Sequence, residues 1–343
     1  METVEVDGSY GEGGGQILRT AAAFSIIQNR PIHVTKIRSG REVPGLRRQH
    51  AASLEILRSV SGGRLEGAHV GSTEVNFFPG TAEGATLSFD LGTAASITLV
   101  LQAVIPAASL SGAGIRLDLV GGTDVPWSPT YDYLATVVRE AFSRIGIRFT
   151  AEAYKRGYYP KGGGRVSVDI EPCASPRPLV MTEAAGGRSV ALVSRCSSLP
   201  RHVAQRQLDS ATSALRASGV SVGKSSVVEG ESDSPGSSIL VHEVSPDRLL
   251  GADAIGSRGK RAEVVGSEAA SRFLSAYQSG ACVDSNLADM VAPILAISKA
   301  ESRLRIPEAS LHLRTSLYVA KLFTGCEWRV DKEGSSFILS VSS

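Results

Sequence analysis

The sequence predicts an α/β (α+β) fold in which three repeated strand-helix-strand-helix-strand-strand units form a large domain, with a smaller α/β domain inserted into it. Three observations lead there. The same order of period-2 and period-3.6 apolar segments recurs about every 80 residues. A stretch over 182–280 interrupts that recurrence. The composition, 42% hydrophobic and 20% charged over 343 residues, is that of a globular chain with enough apolar surface for more than one core.

The first unit, 1–80, reads as a strand over 4–6, a helix over 16–27, a strand over 31–37 and a helix over 46–60 that ends at Ser-Gly-Gly. Two short strands, 64–65 and 73–78, close it. The second unit, 84–172, repeats the order. It has a strand over 86–90, an apolar helix over 94–110 and a strand over 114–120. The rigid loop Asp124-Val-Pro-Trp-Ser-Pro then leads to a helix over 130–145, and strands over 147–154 and 165–170 follow. The third unit, 281–343, has helices over 283–297 and 312–323 and strands over 302–306, 326–330 and 336–341. Between the second and third lies the insertion, with strands over 189–194 and 239–244 and helices over 202–218 and 262–277. Its stretches 222–238 and 251–260 are rich in Ser, Gly and Asp and are expected to be solvated loops. Residues 1–181 with 281–343 are therefore expected to make one domain and 182–280 the other.

The four cysteines lack CxxC spacing and predict buried thiols in a reducing compartment. The N-terminus is polar and acidic, without a signal-peptide pattern, and the longest apolar stretch is interrupted by Ser96, Thr98, Gln102 and Pro106. A cytoplasmic protein with no membrane partner is expected. The net charge of +2 does not argue for nucleic acid, but Arg30, Lys36, Arg38, Arg41, Arg47 and Arg48 cluster with His33 and His50 against Glu42 alone.

That basic stretch follows the most distinctive segment, Asp7-Gly-Ser-Tyr-Gly-Glu-Gly-Gly-Gly-Gln-Ile-Leu-Arg-Thr20. It is a glycine-rich turn running into an apolar helix, whose first amides form an anion site; a tight connection without a ligand is the plain alternative. It matches neither GxGxxG nor GxxxxGK[ST]. Glu12 is an odd companion for a phosphate unless a metal or an arginine intervenes, and Arg19, one helical turn on, is a candidate for that arginine. In Ser310-Leu-His-Leu-Arg-Thr-Ser316, His312 stands at a helix start with Ser310 as its N-cap. Unpaired amides there favour the neutral, nucleophilic imidazole. No GxSxG, HExxH or EF-hand pattern is present. Glycine turn, arginine cluster and histidine together suit phosphate chemistry through a covalent histidine.

The same segments carry a resemblance. The glycine turn, Arg41 with Pro44-Gly-Leu-Arg-Arg-Gln-His50, Thr98-Leu-Val-Leu-Gln102 and Gly121-Gly-Thr-Asp124 closely resemble, in order, motifs of the RNA 3'-terminal phosphate cyclases. So do Gly157-Tyr-Tyr-Pro-Lys-Gly-Gly-Gly, Pro200-Arg-His-Val-Ala, Asn286-Leu-Ala-Asp289 and His312-Leu-Arg-Thr-Ser-Leu. The segment Gly251 to Lys260 looks most like the archaeal branch. The resemblance implies units similar to the C-terminal domain of bacterial translation initiation factor three, with one inserted domain. It implies ATP as a substrate, Mg²⁺ or another divalent metal, and RNA 3'-phosphate ends as partners. Histidine would take AMP from ATP, pass it to the RNA 3'-phosphate, and the 2'-hydroxyl would then expel AMP to leave a 2',3'-cyclic end.

By that resemblance His312 matches the adenylylated histidine. Gln102, Asn286, Leu287, Ala288, Asp289 and Met290 match the ATP pocket. Glu12 corresponds to a metal- or phosphate-organising carboxylate, and Arg19, Arg41, Arg48 and Gln49 are expected to grip phosphates. Bacterial members carry Tyr and Gln where this chain has Asn286 and Met290, so the adenine platform is altered. The 6% aromatic content supplies no stacking platform that the sequence alone locates. Two other readings are a non-catalytic ribosome-assembly relative, whose branch lacks the histidine, and a transferase like the enolpyruvyl transferases, which work without a covalent histidine.

Overall fold

A computed structural model describes residues 2–185 and 189–343. The first sheet holds β1 (Val4–Asp7), β2 (Ile32–Thr35), β3 (Arg64–Glu66) and β4 (Val75–Phe78) in the order β1-β2-β4-β3. β1 and β2 are parallel and the other two pairings antiparallel. Helix α1 (Gly15–Gln28) makes the parallel crossover and α2 (Arg48–Ser61) links β2 to β3. The second sheet repeats this order with β5 (Ala85–Asp90), β6 (Ile115–Gly121), β7 (Phe149–Lys155) and β8 (Gly164–Ile170), arranged β5-β6-β8-β7. Its crossover is α3 (Ile97–Leu110); α4 (Tyr131–Tyr133) passes through a π-helical turn, Leu134–Val138, into α5 (Arg139–Arg144).

Strand β9 (Val180–Met181) is followed by β10 (Val190–Ser197), α6 (His202–Ala217), β11 (Val222–Gly230), β12 (Gly236–Ser245), β13 (Arg248–Ile255) and α7 (Ala262–Gln278). β10 to β13 form one sheet in the order β11-β10-β12-β13, with α6 and α7 packed on it. After it come α8 (Ser285–Leu295), β14 (Ser302–Ile306), α9 (Leu311–Thr324), β15 (Glu327–Glu333) and β16 (Ser336–Ser342). The fourth sheet, β15-β16-β14-β9, has the strand order of the first two read from its other edge, with β9 parallel to β14. Its first strand is thus supplied from before the β10–β13 sheet. Two residues are too few for any periodicity, which is why the sequence reading began this unit at a helix.

The stretches expected as loops at 222–238 and 251–260 are largely strand. β11 is an edge strand with no fully buried side chain, held to β10 by its backbone ladder with only Val222 and Val227 packing on the second core. In β12 and β13 the residues are small because neighbours take the space. A Cβ on Gly236 would overlap the Tyr158 ring, and one on Gly251 would crowd Tyr133. Loop-like composition here records close packing.

One contiguous apolar core runs through the first, second and fourth sheets and their helices, while a second fills the space between β10, β12, β13, α6 and α7. Helix α1, buried at Ile17, Leu18, Ala21, Ala22 and Phe24, packs on both α3 and α9, which brings several helix starts together. All four cysteines are buried and free. Among the described residues no helix is long and apolar enough to cross a membrane.

The β10–β13 sheet is tied to the second sheet by buried charge. Arg156 donates to Asp124 at 3.0 Å and Asp132 at 2.6 Å. Arg195 of β10 grips Asp132 with two 3.1 Å bonds, and Ser238 of β12 donates to Asp124. Burial opposes charge on Arg156, but the two carboxylates outweigh it and its pKa is raised. Arg156→Leu is expected to cost ~3–5 kcal/mol of unfolding free energy in urea titrations, because Asp124 loses the cation that faces it in the interior. A loss under ~1 kcal/mol would contradict that role.

Candidate active site

The site grows from the glycine turn. Asp7 accepts from the Ser9 backbone at 2.9 Å and the Ser9 hydroxyl at 2.6 Å, and pairs with Lys36. The Ser9 hydroxyl and Lys36 hold the Asp7 carboxyl down to about 2, so the turn is closed by an ionised side chain. Gly11 and Gly13 have φ of 64° and 56°, the left-handed region that suits glycine. A Cβ on Gly11 would overlap Thr315 of α9, and the Tyr10 ring stacks on Tyr318 of the same helix at 3.8 Å. The turn therefore lies flat against α9.

Helix α9 starts as expected, with the Ser310 hydroxyl accepting from the Leu313 amide at 2.9 Å. The next residue but one, His312, is 48% exposed at its side chain. Its Nδ1 lies 2.5 Å from Gln16 Oε1. The Gln16 amide nitrogen donates to the His312 carbonyl at 3.2 Å, and a carbonyl can only accept. That fixes which end of the amide is oxygen, so Nδ1 must carry the hydrogen and the neutral ring keeps its lone pair on Nε2. Nε2 faces Glu12 at 3.4 Å, and Glu12 in turn meets Arg41 at 3.5 Å.

Asp289, half-buried on α8, accepts from the Ser310 hydroxyl at 2.6 Å, so one serine caps α9 and ties α8 to it. Burial pushes the Asp289 carboxyl up to about 7; the serine bond opposes this, and Asp284, Glu308 and Glu12 reinforce it. Asp284, the N-cap of α8, is buried and raised to about 6, with Tyr133 and Leu287 donating to it. Asn286 is exposed in the first turn of α8. Leu287 and Ala288 turn their side chains into the apolar core, and Met290 packs at its edge. Gln102 is half-buried on α3.

The arginines divide. Arg41 reaches Glu12 and lies beside Gly14. Arg19, the candidate for contact with Glu12, instead crowds the Cβ position of Gly15 together with His50. It stands one turn beyond Gly15 and so shares its face of α1, and burial draws its pKa down to about 10. Arg48 and Gln49 stand exposed at the start of α2, with no side-chain hydrogen bond or ion pair among the described residues.

Three residues without an individual role in the sequence analysis also take part. Gln16 orients His312. His50 accepts from the Arg47 amide through Nδ1. Burial, then Arg19, Arg38 and Arg47, depress its pKa to about 3, so it is a neutral wedge among cations. Arg38 has φ 57° and a buried Nε without a hydrogen-bond partner among the described residues, and burial, Arg41 and Arg47 lower its pKa. Arg19, Arg38, Arg41 and Arg47 thus crowd together with Glu12 as the carboxylate among them, an imbalance that a polyanion relieves. The spacing of Arg38 and Arg41 from the Pro-Gly turn was the available signal.

Comparison with known proteins gives the chain its family. The family model described as RNA 3'-terminal phosphate cyclase matches residues 10–330. The chain is 43% identical over 333 residues to the RNA 3'-terminal phosphate cyclase of Thermococcus gammatolerans, covering 97% of this chain and 96% of the relative. It is 42% identical to that of Pyrococcus abyssi, covering 96% of each. It is 37% identical to that of Pyrobaculum neutrophilum, covering 98% of each. The chain belongs to the RNA 3'-terminal phosphate cyclase family and is an enzyme of that family. Among solved structures, the enolpyruvyl transferase NikO from Streptomyces tendae covers 99% of this chain and 65% of its own, with a TM-score of 0.26 and 11% identity, a likeness too slight to carry any conclusion.

Asp289 and Asp284 have raised pKa values, so the native state keeps protons that the unfolded chain releases near 3.8. Stability accordingly falls as pH rises from about 4 to 7. Asp289→Asn stays neutral throughout and is expected to flatten part of this slope and to melt higher than the parent protein at pH 8. Equal slopes in melting curves across that range would contradict the assignment.

Proposed function

We propose that this protein uses ATP to convert an RNA 3'-terminal phosphate into a 2',3'-cyclic phosphodiester, through a histidine-AMP intermediate and an RNA-adenylate. The observation that carries this reading is His312 itself, exposed at a helix start with Nδ1 tied to Gln16 and Nε2 turned to the arginine-lined turn. In the first step Nε2 attacks the α-phosphorus, the N–P bond forms and pyrophosphate leaves. An oxygen of the RNA 3'-phosphate then displaces the imidazole, which recovers its lone pair. The 2'-hydroxyl, held beside that phosphate, attacks it and AMP departs; intramolecular placement supplies much of the rate. Adenylylation is needed because a phosphate monoester has no good leaving group.

Arg19, Arg41, Arg48 and Gln49, with Arg38, suit the phosphates of ATP or of the RNA end. Gln102 and the segment Asn286 to Met290 suit the nucleoside. The side chains of Leu287 and Ala288 are buried, so that contribution falls to Asn286, Met290 and Asp289. Glu12 is the residue that would hold Mg²⁺ or another divalent ion, which would offset charge on the phosphates. One carboxylate plus substrate phosphates is an ordinary ligand set for Mg²⁺. Among the described residues no group of three or more acidic, histidine or cysteine side chains is placed for a metal on its own. We also take 1–181 with 281–343 as the catalytic domain and 182–280 as the inserted one.

Incubation with α-labelled ATP and a divalent metal is expected to leave acid-labile, alkali-stable label on the protein and none on His312→Ala. Gln16→Leu is expected to bind ATP but to adenylylate about 100-fold more slowly, since the ring then loses the contact that holds Nε2 in position for attack. ATP binding without any label on the parent protein would overturn this reading.

A further inference from the structure

Trp127 is 97% exposed, far more than any other large apolar side chain among the described residues. Its backbone sits at φ 61°, a conformation that costs free energy for any residue with a Cβ. An indole left in water offers nothing to offset that cost.

The loop that presents it is firmly fixed. Pro126 and Pro129 stiffen the backbone on either side of Trp127 and Ser128, and the Ser128 hydroxyl donates to the Val125 carbonyl at 2.8 Å. Thr98 of α3 donates to the Pro129 carbonyl at 2.7 Å, and the Thr130 amide donates to Asp253 at 2.6 Å. Preorganisation of this kind lowers the entropy lost on binding.

The loop is also linked to the site. Thr98 lies one turn before Gln102 on α3. Tyr133, three residues beyond Thr130, donates to Asp284 at 2.8 Å. Asp284 caps α8 just before Asn286, and Asp289 one turn on binds Ser310, the cap of the helix that carries His312. Asn286 has no ring, so the nucleoside end of the site lacks a stacking surface on α8.

We propose that Trp127 is the stacking platform for a nucleobase held at this site. The inference rests on the function proposed above. The shared chemistry is a planar base, which any indole can stack on without reading its edges, and it comes either from ATP or from the RNA end.

The chain has two tryptophans, and Trp328 lies on β15 beneath Arg314. Trp328→Phe therefore leaves Trp127 as the sole indole emitter. This variant is titrated separately with a non-hydrolysable α,β-methylene ATP analogue, with a short RNA ending in a 3'-phosphate, and with inorganic tripolyphosphate. Calorimetry records binding of each in parallel. At least one base-bearing ligand is expected to quench Trp127 while tripolyphosphate does not, and the ligand that quenches identifies the source of the base. Trp127→Ala is expected to weaken that ligand about tenfold, with Trp127→Phe restoring affinity to within about threefold. Binding of both ligands, with His312 adenylylated but no quenching and no loss in Trp127→Ala, would overturn the platform alone. Failure of both to bind, with no label on His312, would overturn the proposed function and the platform together.

Discussion

The site depends on one contact, the pair of hydrogen bonds between the Gln16 side chain and His312. One bond ends on the histidine's own carbonyl and the other on its ring, so the amide has a single sensible orientation and the ring a single neutral tautomer. Nothing in α9 alone would set that tautomer. Gln16 reaches His312 because α1 packs on α9 and because the glycine turn before it lies flat on Thr315 and Tyr318. Packing, turn geometry and the orientation of the His312 ring are thus one constraint, and a side chain at Gly11 would disturb all three.

Around that contact the charges are deliberately uneven. Buried ion pairs elsewhere in the molecule are matched, as where Arg156 and Arg195 meet Asp124 and Asp132. At the glycine turn Arg41 alone pairs with Glu12, while Arg19, Arg38 and Arg47 crowd a neutral buried histidine, His50. Cations left without counter-charge raise the energy of the empty site and lower that of a phosphate-filled one. Asp284 and Asp289 hold protons more tightly than ordinary carboxylates because burial disfavours their charged forms more than the hydrogen bonds to them favour it.

Much of this was legible in the sequence. The alternation of strand and helix signals located α1, α3, α8 and α9 to within a few residues, and Ser310 was readable as a cap. His312, Glu12 and Arg41 were singled out by residue type and motif, and the fold places all three in one cluster. Other features were hidden for physical reasons. Strand β9 is two residues long, and β11, β12 and β13 owe their small residues to neighbouring rings or to an edge position. The direction of Arg19 is set by its place on the helix opposite α2, which only tertiary packing decides. Gln16 looked like an unremarkable polar residue in a helix start, since its value lies in a partner almost 300 residues away. The exposure of Trp127 is a property of backbone conformation, invisible in composition.

The central claim is that Gln16 leaves Nε2 of His312 as the nucleophile. Nitrogen-15-labelled histidine, with two-dimensional nitrogen–phosphorus correlation on protein trapped with AMP, tests it most directly. The account predicts a bond between phosphorus and Nε2 of His312, with Nδ1 still protonated, and loss of that single regiochemistry in Gln16→Leu. AMP found on Nδ1, or on any other residue, would contradict it.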